Sequence, residues 1–352
     1  MKAIVVEKFG PPEVLQLKEV DKPIPKANEV LIRNYASSIN TVDIAHRDGK
    51  APPAVFWTAR KLIGPILRLA ESGVARPRHK IPGLDFAGKI VEVGSGVKDW
   101  NVGDEVYGYS AKNWGALAEF LVVPAIKLAR KPSNLSFQEA SAVPGGASPA
   151  IVGLKDLVKL EKGQKVLIIG ASGGIGTFAV QIAKHIYDTE VTAVCGPNNI
   201  DMVKKIGADY VIDYTKGDYT KNQTKKYDVI FDIVGKNTFS SCKKILTKKG
   251  VFVSNNFMNS KRHLVQLITT SFGSKKLKTG VANEAAEVLN ILKDWIENDK
   301  IKPVIDSIYP LEKAFEKLTQ KVVEEVVKRN EDLPPTEVIK ITTMAGCSTV
   351  KK

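Results

Sequence analysis

The chain has 352 residues, 43% of them apolar and 26% charged, with 52 Lys and Arg against 38 Asp and Glu for a net charge of +14. That length exceeds what one hydrophobic core fills, so about two domains are expected, and the composition excludes a disordered, collagenous or disulfide-stapled chain. No apolar run reaches the ~20 residues of a membrane span, and MKAIVVEKF opens directly on a strand pattern without a targeting peptide, so a cytoplasmic or organelle-soluble location is expected.

From Met1 to about Lys131 short β-type runs such as KAIVVE, EVLIRNYA, GKIVEVGSGV, DEVYGY and ALAEFLVVP are broken by Gly and Pro, the pattern of a small, mostly β barrel or sandwich. Ala51 to Lys80 interrupts it with an apolar, basic-flanked stretch, read as a peripheral packing helix, with a lid at a substrate entrance as the alternative. From Gln164 the rhythm becomes strand, helix, strand. KVLIIG, EVTAV, YVIDY, YDVIFDIVG and GVFVSN are runs rich in Val and Ile, separated by amphipathic segments at Thr177 to Tyr187 and Asp201 to Ile206. Such alternation implies a parallel sheet covered on both faces, a doubly wound α/β domain. A strong amphipathic helix follows in NEAAEVLNILKDWIENDK. The tail beyond Leu318 is highly charged up to a last apolar run, EVIKI, and the final ten residues are expected to be disordered.

The cysteines, Cys195, Cys242 and Cys347, lack the paired spacing of a zinc knuckle or a disulfide framework, which fits a reducing compartment. Basic runs such as Lys225-Lys226 and Lys275-Lys276 are spread along the chain and read first as solvated surface. Peripheral contact with an anionic membrane stays open, whereas the lack of a single basic stripe argues against nucleic acid as a partner.

Chemistry enters at GASGGIGTFAVQIAK, Gly170 to Lys184, where four glycines in seven residues join a strand to a helix. Gly170 permits the tight exit from the strand, Gly173 and Gly174 let a pyrophosphate approach the backbone, and Gly176 allows helix and strand to pack closely. A dinucleotide cofactor is therefore expected. Enzymes that bind the form without a 2′-phosphate usually carry Asp or Glu about 20 residues on. Here that position reads Ala193-Val194-Cys195-Gly196-Pro197-Asn198-Asn199, with neither a carboxylate nor a basic residue, which favours NADPH over NADH.

Gly163-Gln164, Leu167, Ala171-Ser172-Gly173-Gly174, Gly176, Gln181 and Lys184 resemble the quinone oxidoreductase signature of the medium-chain dehydrogenase/reductase superfamily. NTVDIAHRDG, PGLDFAGKIVEVGSGV, GDEVYG, GADYVIDY and KIKPVIDSIYPLEKAFEKL follow in the family's order. The nearest subgroup resembles the chloroplast-envelope and mitochondrial quinone oxidoreductase homologues. The resemblance implies a Rossmann domain, residues 129–282, inserted into a mostly β GroES-like catalytic domain formed by residues 1–128 and 283–352. It further implies an active site in the cleft and a homodimer. Asn40 would lie beside nicotinamide and substrate, with Asp43 and Arg47 bracing the segment, read as a structural ion pair more readily than as direct catalysts. Ser172, Gly173, Gly174, Ile175 and Gly176 would serve the pyrophosphate, Gly196 and Asn199 the adenosine phosphate, and Tyr214 the adenosine. Val234 and Gly235 would contact the cofactor after the fourth strand.

The zinc alcohol dehydrogenases of the superfamily hold a catalytic metal through Cys near the position of Asn40 and His in the stretch matching Gly83-Leu84-Asp85. Here Leu84 replaces that His, no Cys precedes residue 195, and His46 and His79 are expected to be surface histidines, so a metal-free enzyme is expected. Without a Lewis acid, a quinone or an α,β-unsaturated carbonyl is the suitable hydride acceptor, because it delocalises the incoming charge itself. Three departures bear on this reading: Ala45 stands where relatives carry Tyr, Pro149 where a Thr commonly meets the nicotinamide, and Lys321 to Pro335 replaces a G-x-x-x-G-K stretch. They leave open a non-catalytic nucleotide-binding protein or a zinc-free alcohol dehydrogenase-like enzyme. Tyr309 and Lys313 share the spacing of the short-chain dehydrogenase pair, but Tyr309-Pro310-Leu311-Glu312 is expected to open a helix instead.

Overall fold

The computed structural model describes residues 1–49, 77–110, 114–221, 224–254, 270, 273–280, 286–313 and 340–344. The chain divides into two compact units, Met1–Gly145 with Glu284–Asp294 and Ile305–Lys352, and Gly146–Asn283 with Trp295–Val304.

In the first unit β1 (Lys2–Val6) pairs antiparallel with β2 (Leu15–Glu19). Among the described residues a separate seven-stranded sheet is built around the long strand β3 (Glu29–Ile39). One edge of β3 pairs antiparallel with β4 (Asp85–Val93), which continues to β5 (Glu105–Tyr109). The other edge is shared. β6 (Phe120–Pro124) covers Glu29 to Arg33, and the far C-terminal strand β15 (Lys340–Met344) runs parallel beside Ala36 to Ile39. β7 (Leu128–Arg130) pairs with β5, and β14 (Ile305–Pro310) with β15. Every second residue of a pleated strand points to the same face. Val30 and Ile32 of β3 accordingly meet Phe86 and Ile90 of β4, Val106 of β5 and Leu121 of β6 in one buried cluster. Full burial of each such side chain contributes roughly 1.5–3 kcal/mol.

In the second unit six parallel strands, β8 (Lys165–Ile169), β9 (Glu190–Cys195), β10 (Tyr210–Asp213), β11 (Tyr227–Asp232), β12 (Leu246–Ser254) and β13 (Lys276–Lys278), lie in the order β10-β9-β8-β11-β12-β13. Val166, Leu167 and Ile168 of β8 are wholly buried. A strand with helices on both faces has no solvent side, and this explains the unbroken apolar runs. The strand order reverses between β8 and β11, and at such a point the carboxyl ends of neighbouring strands leave a crevice for ligands. The α/β class and the Rossmann-type sheet expected from the sequence are both present.

The helix after the glycine turn, α2 (Gly174–Gln181), runs on as a π-helical turn over Ile182–Ile186. Helices also form at Ile200–Lys205 and Ala286–Glu297, close to the expected positions. Tyr309 and Pro310, expected to open a helix, instead end strand β14, in register with Ile341 and Lys340; a 3₁₀ turn begins directly after them at Leu311–Lys313, and 314–339 lie outside the described residues. A proline, lacking an N–H, is tolerated at a strand end as well as at a helix start, so the residue alone could not separate the two. Most of the stretch 51–80, all of 321–335, and 345–352 of the final ten residues lie outside the described residues.

Candidate active site

The glycine turn starts where β8 ends. Gly170 has φ +85°, and a Cβ there would sit 2.6 Å from Val234 Cγ2, so only glycine suits the position. The Gly170 and Ala171 N–H groups both donate to the Val194 carbonyl at 3.1 Å, tying the turn to β9. Gly173 is the N-cap of α2, and the helical ladder begins with Thr177 N–H to Gly173 C=O at 2.9 Å. The N–H groups of Gly174, Ile175 and Gly176 therefore have no carbonyl partner within the helix and carry its positive dipole end. At Gly176 an added Cβ would lie 2.1 Å from the Gly170 oxygen, so this glycine lets the helix sit on the turn. At Gly173 the nearest atom would be 3.4 Å away, an ordinary contact, so packing does not demand a glycine there and close approach of a phosphate to the backbone is the reason that remains. These residues fit a dinucleotide pyrophosphate.

The other expected cofactor positions gather at the carboxyl ends of the same strands. Gly196 follows β9, and a Cβ there would lie 3.5 Å from the ring of Tyr214, which follows β10 and is partly exposed. Asn199 donates its N–H to the Gly196 carbonyl at 3.1 Å. Val234 and Gly235 follow β11 in a loop held by Asp232, whose two oxygens accept the Gly235 and Asn237 N–H groups, each at 2.9 Å. Burial raises the Asp232 carboxyl, and those N–H groups pull it down. The sequence reading missed this brace, and a lone Asp ending the apolar run YDVIFD was its signal. It also passed over Asp213, the register partner of Cys195, whose carboxylate is engaged by the Thr215 N–H and hydroxyl at 2.9 and 2.7 Å.

In the first unit the expected catalytic residues sit where β3 turns into α1 (Thr41–Arg47). Asn40 is the N-cap. Its N–H donates to Asp43 Oδ2 at 2.7 Å while the Asp43 N–H donates to the Asn40 carbonyl at 3.0 Å, a reciprocal closure of the helix start. The Asn40 side-chain Nδ2 donates to Ser38 Oγ at 3.0 Å and to Asp85 Oδ2 at 2.8 Å. The Ser38 hydroxyl also donates to Asp85 Oδ2, and the neighbouring Ser37 hydroxyl donates to the Asp85 main-chain oxygen at 2.7 Å. Asp85 opens β4 and is wholly buried, with Gly145 pressed against its carboxylate: a Cβ on that glycine would come within 2.5 Å of Oδ2.

Asp85 is the residue sequence reasoning missed. Its signal was a carboxylate heading an otherwise apolar strand, DFAGKIVEV. Desolvation pushes the Asp43 and Asp85 carboxyls each up to about 7, and the charge on Asp85 raises Asp43 further. N–H groups of Asn40 and Gly83 oppose this at Asp43; at Asp85 the opposing donors are Ser38, Asn40 and the Gly145 N–H. Both Oδ1 atoms are buried without a hydrogen-bond partner. The ion pair expected of Asp43 and Arg47 forms elsewhere: Arg47 holds Asp48, with Nη2 to Oδ1 at 2.7 Å. Asp43 is drawn instead into the helix cap, where its Oδ2 accepts the Asn40 N–H. His46 is not on the surface either. It is buried with its ring stacked on Trp114 at 4.1 Å, Nε2 meets the His79 carbonyl at 3.0 Å, and burial lowers its pKa. His79 is half-buried, its ring 6.4 Å from Trp114.

Residues 26–133 match the alcohol dehydrogenase GroES-like domain and 206–321 the domain described as zinc-binding dehydrogenase. The chain is 34% identical to a chloroplast envelope quinone oxidoreductase homolog of Arabidopsis thaliana, over 85% of this chain and 88% of that one. It is 31% identical to the NADPH-dependent alkenal/one oxidoreductase of the same plant, over 87% of this chain and 72% of the relative. The quinone oxidoreductase of Coxiella burnetii has the same fold, with a TM-score of 0.78 at 24% identity over 98% of this chain and 99% of that one.

The zinc in the second domain's description does not fit the residues at the Asn40 corner. A catalytic zinc takes three protein ligands, chiefly imidazole and thiolate. Here the donors are an amide, a hydroxyl and two carboxylates already engaged with one another, Leu84 is buried apolar bulk, and among the described residues no group of three His, Cys, Asp or Glu is placed to hold a metal. No helix among the described residues is long and apolar enough to cross a membrane. With the parallel sheet, the glycine turn and these relatives together, the chain belongs to the quinone oxidoreductase family of the medium-chain dehydrogenase/reductase superfamily and is an NAD(P)H-dependent oxidoreductase.

Proposed function

We propose that the protein transfers hydride from NADPH to a quinone or an α,β-unsaturated carbonyl without help from a metal. The observation that carries this reading is the corner of Ser38, Asn40 and Asp85, hydrogen-bonded among themselves at the place where a zinc enzyme needs imidazole and thiolate. The relatives named for quinone and alkenal substrates support the same acceptor class.

When bound, NADPH supplies the hydride. The chain's own work is to hold and orient. The N–H groups of Gly174, Ile175 and Gly176, with Ser172 and Gly173 in the turn, bind the pyrophosphate. Tyr214 packs on the adenosine beside Gly196 and Asn199, and Val234 and Gly235 line the stretch toward the nicotinamide. Asn40 contacts the nicotinamide and acceptor. A positioned pair of reactants gains several kcal/mol of barrier reduction from orientation, of order 7 in favourable cases. Gly196 and Cys195 leave the end of β9 without a carboxylate of its own, which supports NADPH over NADH.

NADPH oxidation measured against a panel of quinones and enones tests this. Saturable turnover with enones or quinones, and none with simple ketones, is the expected result. Tight NADPH binding with no turnover on any acceptor would favour a nucleotide-binding protein that has lost catalysis, a reading to which Ala45 and Pro149 lend weight.

A further inference from the structure

Asn40 owes its side-chain orientation to a residue that no part of the reaction has yet used. Its amide has two hydrogens on Nδ2 and a carbonyl Oδ1. Nδ2 donates to Ser38 Oγ at 3.0 Å and to Asp85 Oδ2 at 2.8 Å, two acceptors hydrogen-bonded to each other and so close together that they share one N–H, and Ser38 is fixed in turn by donating its own proton to that same Oδ2. Asp85 is therefore the shared acceptor of a three-residue ring. It cannot move away: it is wholly buried, its main-chain oxygen accepts from Ser37, and Gly145 closes the space beside its carboxylate. Oδ2 already accepts from the Ser38 hydroxyl, and a proton held by the carboxyl belongs on Oδ1, so Oδ2 presents only lone pairs to the amide and dictates that Nδ2 faces it. The end left over is the carbonyl.

We propose that Asp85 is a positioning residue for the reaction: through Ser38 and the Asn40 Nδ2 it holds the Asn40 amide in one of its two flip states, so that the Asn40 carbonyl is turned away from Asp85 to meet the nicotinamide. This rests on the reading that Asn40 contacts the nicotinamide. Its chemical content is specific. A carbonyl receives a donor, such as the carboxamide N–H or a ribose hydroxyl of the cofactor, and so fixes the ring.

A double-mutant cycle in the full-length enzyme tests the assignment, with NADPH and an enone as substrates. Asp85→Asn keeps the shape but offers an amide in place of an obligate acceptor, which releases the flip. The expected result is a kcat about tenfold lower with the enone KM changed less than threefold, and no further loss when Asp85→Asn is added to Asn40→Ala, because Asp85 acts through Asn40. Equal losses in both backgrounds would overturn the assignment and leave Asp85 a structural residue. An Asn40→Ala enzyme with unchanged kcat and NADPH affinity would instead overturn the placing of Asn40 at the nicotinamide, and the proposal with it. Should Asp85→Asn fail to fold, Ser38→Ala replaces it in the same cycle with the same expectations. Selective 15N-asparagine labelling supplies the independent readout: the Asn40 side-chain NH2 protons should resonate downfield in the wild type and lose that shift in Ser38→Ala, whereas an unmoved signal would contradict the ring.

Discussion

Two buried carboxyls a short way apart shape how the protein responds to pH. Asp43 and Asp85 have an ordinary value of 3.8 and are each pushed up to about 7 in the folded chain, chiefly by loss of solvent. Between pH 4 and 7, roughly, the native state therefore keeps protons that the unfolded chain has released, and the contribution of these groups to stability falls as pH rises. Each unit of displacement corresponds to about 1.4 kcal/mol. Asp43→Asn retains an oxygen to accept the Asn40 N–H and removes one titrating group. Its melting temperature relative to wild type should rise by a few degrees between pH 5 and pH 8. His46, whose lowered pKa works in the opposite sense below about pH 6.5, cancels in that difference. A difference that stays flat across the range would show that Asp43 does not carry the buried proton. Residues of this kind were hard to read from sequence. Asp43 looked like half of an ion pair with Arg47 because i and i+4 positions on a helix face one another. The cap at Asn40 competed for the same carboxylate and took it, while Arg47 found Asp48 next door.

The glycine turn separates two jobs that its sequence ran together. Gly176 serves the fold, since a Cβ would meet the Gly170 oxygen at 2.1 Å; Gly173 has ordinary space around it and serves the ligand. Gly173→Ala should leave the melting temperature of the free protein within about two degrees and weaken NADPH at least tenfold by isothermal titration. Gly176→Ala should lower the melting temperature of the free protein as well. Identical behaviour of the two variants would contradict the division. At the end of β9, Gly196→Asp has room beside Tyr214, 3.5 Å away, and places a carboxylate where a 2′-phosphate would lie. NADPH affinity should fall at least tenfold and NADH affinity much less; equal losses would move the 2′-phosphate elsewhere. The five strands β8 to β12 were legible because burial on both faces leaves an unbroken run of Val and Ile. The end of β14 was not, because Pro310 suits a helix start and a strand end alike, and its partner Lys340 lies across a long stretch of chain that carries no signal of the pairing.

The whole molecule reads as two units whose sequences advertise different things. The inserted unit shows its ligand class directly, through a turn whose glycines are dictated by close backbone approach. The other unit shows a β pattern and hides its chemistry in one corner, where Ser38, Asn40, Asp43 and Asp85 come from β3, α1 and β4 and meet only on folding. Proximity of that kind has no sequence period, so Asp85 was read only as part of the stretch in which Leu84 replaces a zinc-binding His, and no role was assigned to it. The domain description that mentions zinc and the residues that stand at the corner lead to opposite expectations for the reaction. The direct test is turnover after metal removal: the protein is dialysed against a strong chelator, its metal content measured by elemental analysis, and NADPH oxidation followed with an enone. Undiminished, saturable turnover at well under one-tenth of a metal ion per chain is the predicted result. Activity that disappears with the chelator and returns on adding back one zinc per chain would contradict it.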